Sequence, residues 1–163
     1  MKYKLTLLVF TPFIIGFFID KLVEVGFINN NQFFLSIFGL LLAIWTYGGA
    51  IAFWFYVGRT FGKLNMTAVK SFIFGNIPWG ISFIIFIWQT KLLEDTSRNL
   101  LLSALSQHYV LGFIGFGTRI VRLFTNNIHG TTVILSAYFL MIIVFSLGFW
   151  SALRSKPINV VYN

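Results

Sequence analysis

Long apolar stretches separated by short polar segments dominate the hydropathy pattern of this chain. The clearest runs from Phe33 to Val57 and contains 25 residues without a single charge. At a rise of about 1.5 Å per residue, this stretch exceeds the ~20 residues that cross the hydrocarbon of a bilayer. Further apolar stretches lie at about 5–19, with an extension to 27, at 71–90 and at 131–152. The pattern therefore predicts four transmembrane helices.

The segment at about 99–125 is harder to assign. Its first part is apolar but is interrupted by serines, a Gln-His pair and three glycines, and it ends with Arg119 and Arg122 among apolar residues. Alternation of this kind is typical of an amphipathic helix at the membrane surface. Three arrangements remain open: a pair of interfacial helices, a re-entrant hairpin that breaks at the glycines, and a fifth membrane span.

From these patterns we expect an all-α fold. The predicted architecture is a polytopic membrane protein, a four-helix transmembrane bundle with an additional amphipathic or re-entrant helical segment at about 99–125. A length of 163 residues accommodates this as a single integral membrane domain, 1–163, with short connections.

Small and hydroxyl side chains recur along one side of the 33–57 helix at steps of 3, 4, 3 and 4 residues, which places them in one stripe. Helices in lipid associate through small residues that let backbones approach and through hydroxyls that bond across the gap. The stripe therefore predicts a packing or binding face, and a pore-lining face is the alternative. Its members are Ser36, Gly39, Ala43, Thr46 and Ala50.

The third span contains the least regular membrane sequence, in which Gly75 and Asn76 precede Pro78. Proline removes a helix donor, so we expect a kink, and Asn76 is placed to bond the freed backbone groups. Broken helices bind substrates in transporters, which makes Asn76 and Pro78 a candidate site. The spacing of Ser71, Gly75, Pro78 and Ser82 also fits a packing face, and we expect it to pair with the stripe of the preceding helix.

Composition supports the membrane assignment. Only 10% of the residues are charged and 58% are hydrophobic, whereas a soluble domain has about 25% charged residues. The absence of cysteine excludes disulfides and thiolate metal sites. The net charge of +8 comes from residues that flank apolar stretches, where anionic lipid headgroups attract them, so we expect no nucleic-acid partner.

Residues for catalysis are sparse. His108 and His129 are 21 residues apart, and we expect both to be ordinary polar residues on the outer side. Asp20 and Glu24 are one turn apart, at what we expect to be a hydrated helix end. The literal G-x-x-x-G of Gly58 to Gly62 lies outside the apolar stretch, so we expect it to count for little as a dimer motif. We predict no enzymatic activity, no cofactor and no metal.

Orientation and function follow only in outline. Seven basic residues lie inside and five outside with either four or five spans, so the positive-inside count does not discriminate between them. We choose four spans, with the N- and C-termini cytoplasmic. We expect the cell membrane of a bacterium, since the composition resembles proteins from AT-rich bacterial genomes. The expected function is that of a non-catalytic interaction, accessory, regulatory or immunity-type subunit. Its partners would be the lipid bilayer and another membrane protein or further copies of itself. The alternative is a channel or transporter subunit that uses Asn76 and Pro78.

Overall fold

The computed structural model describes residues 2–155, and every regular element in that range is helical. The α-helices are α1 (Lys2–Ile28), α2 (Gln32–Ile44), α3 (Ala50–Gly62), α4 (Ala68–Ile87), α5 (Leu100–Arg122) and α6 (Gly130–Arg154). A π-helical turn, Trp45–Gly49, joins α2 to α3. A second π-helical turn, Trp88–Leu92, extends α4 and is followed by a short 3₁₀ turn, Asp95–Ser97.

Five helical stretches in residues 2–155 are long and apolar enough to cross a membrane. Four of them contain the predicted spans and are longer than expected at one or both ends. They are Tyr3–Ile28, Gln32–Gly62, Ala68–Leu92 and Gly130–Arg154, and the fifth is Leu100–Arg122.

Helix α5 is a single uninterrupted helix. Two of the three arrangements considered for 99–125, the re-entrant hairpin and the pair of interfacial helices, are therefore wrong. Its glycines allow close packing instead of breaking the helix. A Cβ on Gly112 would lie 2.4 Å from the Ala50 Cβ, and one on Gly117 would lie 2.6 Å from the Val133 carbonyl oxygen. Both distances are shorter than a real Cβ tolerates, so glycine is required where neighbouring helices meet α5.

The stretch from Gln32 to Gly62 is not one regular helix. Gly48 has non-helical dihedral angles, φ 159° and ψ −21°, within the π-helical turn. Before this break, α2 contacts α1, with Leu35 against Gly26, and none of the residues of α2 is buried. Beyond the break, α3 enters the core. The break therefore separates a peripheral half from a central half.

Glycines bring the backbones of α3 and α6 into contact. A Cβ on Gly58 would lie 2.2 Å from the Phe145 carbonyl oxygen, and one on Gly148 would lie 2.1 Å from the Phe55 carbonyl oxygen. Gly62 lies equally close to the backbone of α6. These glycines therefore form the contact between two central helices of the same chain, and the expectation that they count for little as a dimer motif stays a prediction.

Large side chains fill the space around this contact. Fully buried rings from α3, α4, α5 and α6 pack at tilted and edge-to-face angles, with centroids about 5 to 6 Å apart. The interior is thus a packed aromatic core. Its largest members are Trp54, Phe61, Phe86, Phe113, Tyr138 and Phe145.

The order of these contacts fixes the helix directions. Gly58 meets α6 at Phe145 and Gly62 meets it at Phe149 and Ala152, so α3 and α6 run in the same direction. Residues of α4 meet α6 in the reverse order, since Phe72 contacts Phe149 and Phe83 contacts Tyr138. The end of α4 and the start of α6 therefore lie at the same end of the bundle.

Helix α5 joins the end of α4 to the start of α6 along the chain, and it runs obliquely to α6. Its first residues are held at the end of α4, where the Asn99 amide donates to the Gln89 side chain at 2.8 Å. Ser106 and Gly117 are eleven residues apart on α5 but meet residues only five apart on α6, Tyr138 and Val133. A helix antiparallel to α6 along its whole length would show matched spacings. Helix α5 is therefore not aligned with α6 along its whole length.

The α3 and α6 contact predicts a strong dependence on glycine. Gly148→Ala should lower the free energy of unfolding by about 1–3 kcal/mol, because the added methyl group meets the Phe55 carbonyl rather than a movable side chain. Gly80→Ala is the matched control, since no atom lies within 4 Å of its Cβ position, and it should be neutral or stabilising. Thermal unfolding in detergent measures both changes, and equal effects would contradict the proposed contact.

Candidate functional site

The candidate site on the third span lies within continuous helix. Helix α4 passes through Pro78 without a break in its assignment. The Asn76 side-chain amide donates to the Phe72 carbonyl at 2.9 Å, so it bonds a carbonyl other than the one near Phe74 that Pro78 leaves without its usual donor. The Asn76 side-chain oxygen is buried without a partner among the described residues. Asn76 thus holds the helix locally, and its free acceptor points to no second group.

The packing face of α4 meets different partners from those expected. The Ser71 hydroxyl donates to the Phe61 carbonyl, and Gly75 lies against the rings of Phe61 and Phe145. The neighbours of this face belong to α1, α3, α5 and α6. The predicted pairing with the stripe on the preceding helix is therefore wrong.

The stripe itself divides at the Gly48 break. Ser36 and Gly39 are exposed, and no atom lies within 4 Å of the Cβ position of Gly39. Ala43 and Thr46 are partly buried, and only Ala50, at 1% exposure, packs in the core, opposite Gly112. Within residues 2–155, the first half of the stripe is an open surface. That it binds another molecule stays a prediction.

Pro78 lines a cleft of about 210 Å³ between α1, α4 and α5. Its walls are mainly apolar, and the surrounding side chains include Phe13 from α1, Ile81 from α4 and Leu105 from α5. Such a cleft could hold an apolar chain. Of the residues that we predicted for a site in the third span, Pro78 lines the cleft and Asn76 does not.

Hydroxyl groups at the cleft bond within the protein. The Ser106 carbonyl oxygen lies 2.8 Å from the Tyr138 hydroxyl and 3.0 Å from the Ser82 hydroxyl, and the two hydroxyls are 2.7 Å apart. The Tyr109 hydroxyl donates to the Val9 carbonyl at 3.0 Å. These bonds join α1, α4, α5 and α6 across the interior. Their first role is therefore structural.

His108 lies in the interface between α1 and α5, where its side chain is only 11% exposed. Its Nε2 is 2.9 Å from a carboxylate oxygen of Asp20, whose side chain is 50% exposed. Gly16, one turn before Asp20, allows the approach, because a Cβ there would lie 2.2 Å from the His108 carbonyl oxygen. We expected an ordinary polar residue on the outer side; His108 is instead largely buried and pairs with Asp20 on another helix, and its side of the membrane stays a prediction. Sequence reasoning missed the pair because 88 positions separate its members.

The two predicted interfacial arginines lie on the last turns of α5. The Arg119 guanidinium carbon is 5.3 Å from the ring centre of Tyr47, in the π-helical turn before α3. Arg119 and Arg122 line one pocket together with Thr46 and Tyr47. The structure thus brings Thr46, a member of the stripe, next to both arginines, which the sequence pattern did not indicate.

No family model, curated protein or solved structure matches this chain. Its function is therefore argued from its own residues. Three surfaces stand out in the described residues: the open side of α2, the cleft at Pro78 and the pocket that contains Arg119 and Arg122.

The hydroxyl network predicts a specific cost for removing one oxygen. Tyr138→Phe keeps the buried ring but removes the hydroxyl that meets Ser82 and Ser106, and it should lower the free energy of unfolding by about 0.6–1.7 kcal/mol. Tyr56→Phe is the control, because Tyr56 is 57% exposed, and it should have almost no effect. Thermal unfolding in detergent compares them, and an unchanged Tyr138 variant would mean that the network contributes no stability.

Proposed function

We propose that this chain is a small, non-catalytic, multi-pass protein of the cell membrane that binds a transmembrane helix of another membrane protein through α2. The observation that carries the proposal is the exposure of α2. Apart from its link to α3, it packs mainly against α1, and none of its residues is buried.

The composition of this open surface supports a helix as its partner. Large apolar side chains, including Ile37, Leu40 and Ile44, are exposed along it, which suits a lipid environment. Apolar side chains alone give little force between helices in lipid, so association requires close backbone approach. Gly39 offers such an approach to a helix from outside, as Gly58 does to α6 inside the molecule.

The packed interior supports an interaction role over a conduction role. Rings from four helices fill the centre of the bundle. The ionisable pair of His108 and Asp20 lies at the α1–α5 interface, with Asp20 half exposed, so it does not line a central path. A protein that carries its activity on an outer surface fits this arrangement.

The direction of the helices supports four membrane crossings by α1, α2 with α3, α4 and α6. In this proposal the N- and C-termini are cytoplasmic, and α5 lies obliquely at the outer side of the bundle. The supporting observation is that α3 and α6 run in the same direction while α4 runs opposite to both. An even number of full crossings between α3 and α6, with α5 as a second one after α4, would reverse α6.

One observation favours the alternative of a channel or transporter subunit. The cleft of about 210 Å³ lies beside Pro78, a residue of the candidate transport site. In that case the cleft would admit an apolar or amphipathic substrate from the lipid. Flux through liposomes containing the purified protein would be its signature, and its loss on Pro78→Ala would assign the flux to the cleft.

The proposed topology can be tested by labelling, because the native chain has no cysteine. Asn65 lies in the connection from α3 to α4 and Asn127 in the connection from α5 to α6, and both are exposed. With four crossings, single cysteines at these two positions should react with a membrane-impermeant maleimide from opposite sides of intact cells. Labelling of both from the same side would require a fifth crossing.

The proposed partner surface can be tested by photo-cross-linking in the native membrane. A photoreactive residue in place of Ser36 should give one discrete adduct with another membrane protein. Adding Gly39→Leu should abolish it, because the larger side chain prevents backbone approach, while no described atom of this chain lies within 4 Å of the Cβ position.

Leu41→Phe is the matched control for bulk. Leu41 is exposed and lies on the opposite side of α2 from the stripe, so this change should leave the adduct intact. Equal loss in both variants, or adduct formation that survives Gly39→Leu, would place the binding surface elsewhere.

A further inference from the structure

The end of α5 and the break after α2 together form a pocket of about 290 Å³. From α5 come Thr118, Arg119 and Arg122, and from the other side come Thr46 and Tyr47. Two guanidinium groups three residues apart on one helix face the same space, because residues at this spacing are neighbours on a helix surface. The pocket is therefore a small site with two exposed positive charges in its wall.

These charges are not neutralised by the described part of the chain. Within residues 2–155, no carboxylate forms an ion pair with Arg119 or Arg122. The Arg119 guanidinium instead lies 5.3 Å from the ring centre of Tyr47 and 5.7 Å from that of Phe116. Contacts with aromatic rings restrict a guanidinium group while leaving its full charge. A ligand in this pocket should therefore be an anion.

The hydroxyl groups in the pocket restrict the chemical class of the ligand further. The Thr46 hydroxyl donates to the Leu42 carbonyl at 2.8 Å, and the Thr118 hydroxyl donates to the Ile114 carbonyl at 3.0 Å. Their hydrogens are thus used within the helices. The donors left for a ligand are mainly the two guanidinium groups, whose planar fork matches the geometry of a phosphate group.

The next residues locate the pocket relative to lipid. Leu123 and Phe124 directly follow Arg122 and are 80% and 84% exposed. Apolar side chains beside cations at a helix end are typical of the membrane interface, where the former enter the acyl region and the latter meet phosphates. This arrangement favours a lipid phosphate over phosphate from solution.

We propose that the Arg119 and Arg122 pocket binds the headgroup phosphate of an anionic phospholipid. The site is separate from the open surface of α2 that we propose for a protein partner, and it does not depend on that proposal. The two arginines would hold the phosphate while the exposed apolar residues after α5 lie among the acyl chains.

The test is a lipid titration of the purified full chain in a non-ionic detergent, followed by native mass spectrometry. Phosphatidylglycerol should bind in preference to phosphatidylcholine. The double variant Arg119→Gln/Arg122→Gln should weaken phosphatidylglycerol binding roughly 10- to 30-fold, since each arginine near an anionic lipid contributes about a four- to fivefold change in affinity.

The matched control removes the same charge at the other end of the bundle. Lys63→Gln/Lys70→Gln alters two exposed lysines around the connection between α3 and α4 and should change binding far less. An equal loss in both double variants would mean general charge attraction and would overturn the proposal. Competition by inorganic phosphate at millimolar concentration would assign the pocket to soluble phosphate and would also overturn it.

A second measurement uses the unaltered chain, so its result does not depend on whether a variant folds. A phosphatidylglycerol with a photoreactive headgroup should cross-link to peptides that contain residues 45–48 or 115–122. Cross-links confined to residues 59–70 would contradict the proposed site.

Discussion

The close approach of α3 and α6 through glycine is the contact on which the rest of the structure depends. Between helices surrounded by lipid, there is little hydrophobic force, so packing and short-range contacts must hold them together. Gly58 and Gly62 place the backbone of α3 directly against α6, and Gly148 does the same in return. The aromatic core then packs around two backbones in contact. Because the two helices run in the same direction, the chain must return after α3 to the end of the bundle at which α3 begins, and α4 makes this return.

Hydroxyl groups act in two ways around this core. Many donate to a carbonyl of their own helix, as Ser36 and Thr46 do. These bonds satisfy the hydroxyl donor but do not hold a neighbouring helix in place. Others bond between helices, as at Ser71 with Phe61 and at Tyr138 with Ser106. The second kind is found where α4 meets α3 and where α4, α5 and α6 meet. Interhelical hydrogen bonds therefore fix the positions of neighbouring helices relative to one another along their axes, which glycine contacts alone would not fix.

The break at Gly48 connects the two surfaces that we propose to be functional. It separates α2 from the core, which leaves Gly39 without a neighbour within 4 Å. The same turn places Tyr47 over the Arg119 guanidinium and so forms one wall of the basic pocket. One irregularity in the backbone thus borders both the open helix surface and the proposed anion site.

The sequence by itself determined the helical class, the positions of the four principal apolar helices and the amphipathic end of α5, because these depend on local periodicity and hydropathy. It did not determine which small residues lie in contact with another helix. Gly39 and Gly58 both occur at helical spacings, yet only Gly58 meets another helix in the described structure. The pair of His108 and Asp20 and the pocket of Thr46 with Arg119 also needed the tertiary structure. These depend on helix direction and crossing angle, which arise from contacts between residues far apart in the chain, and no local pattern encodes them.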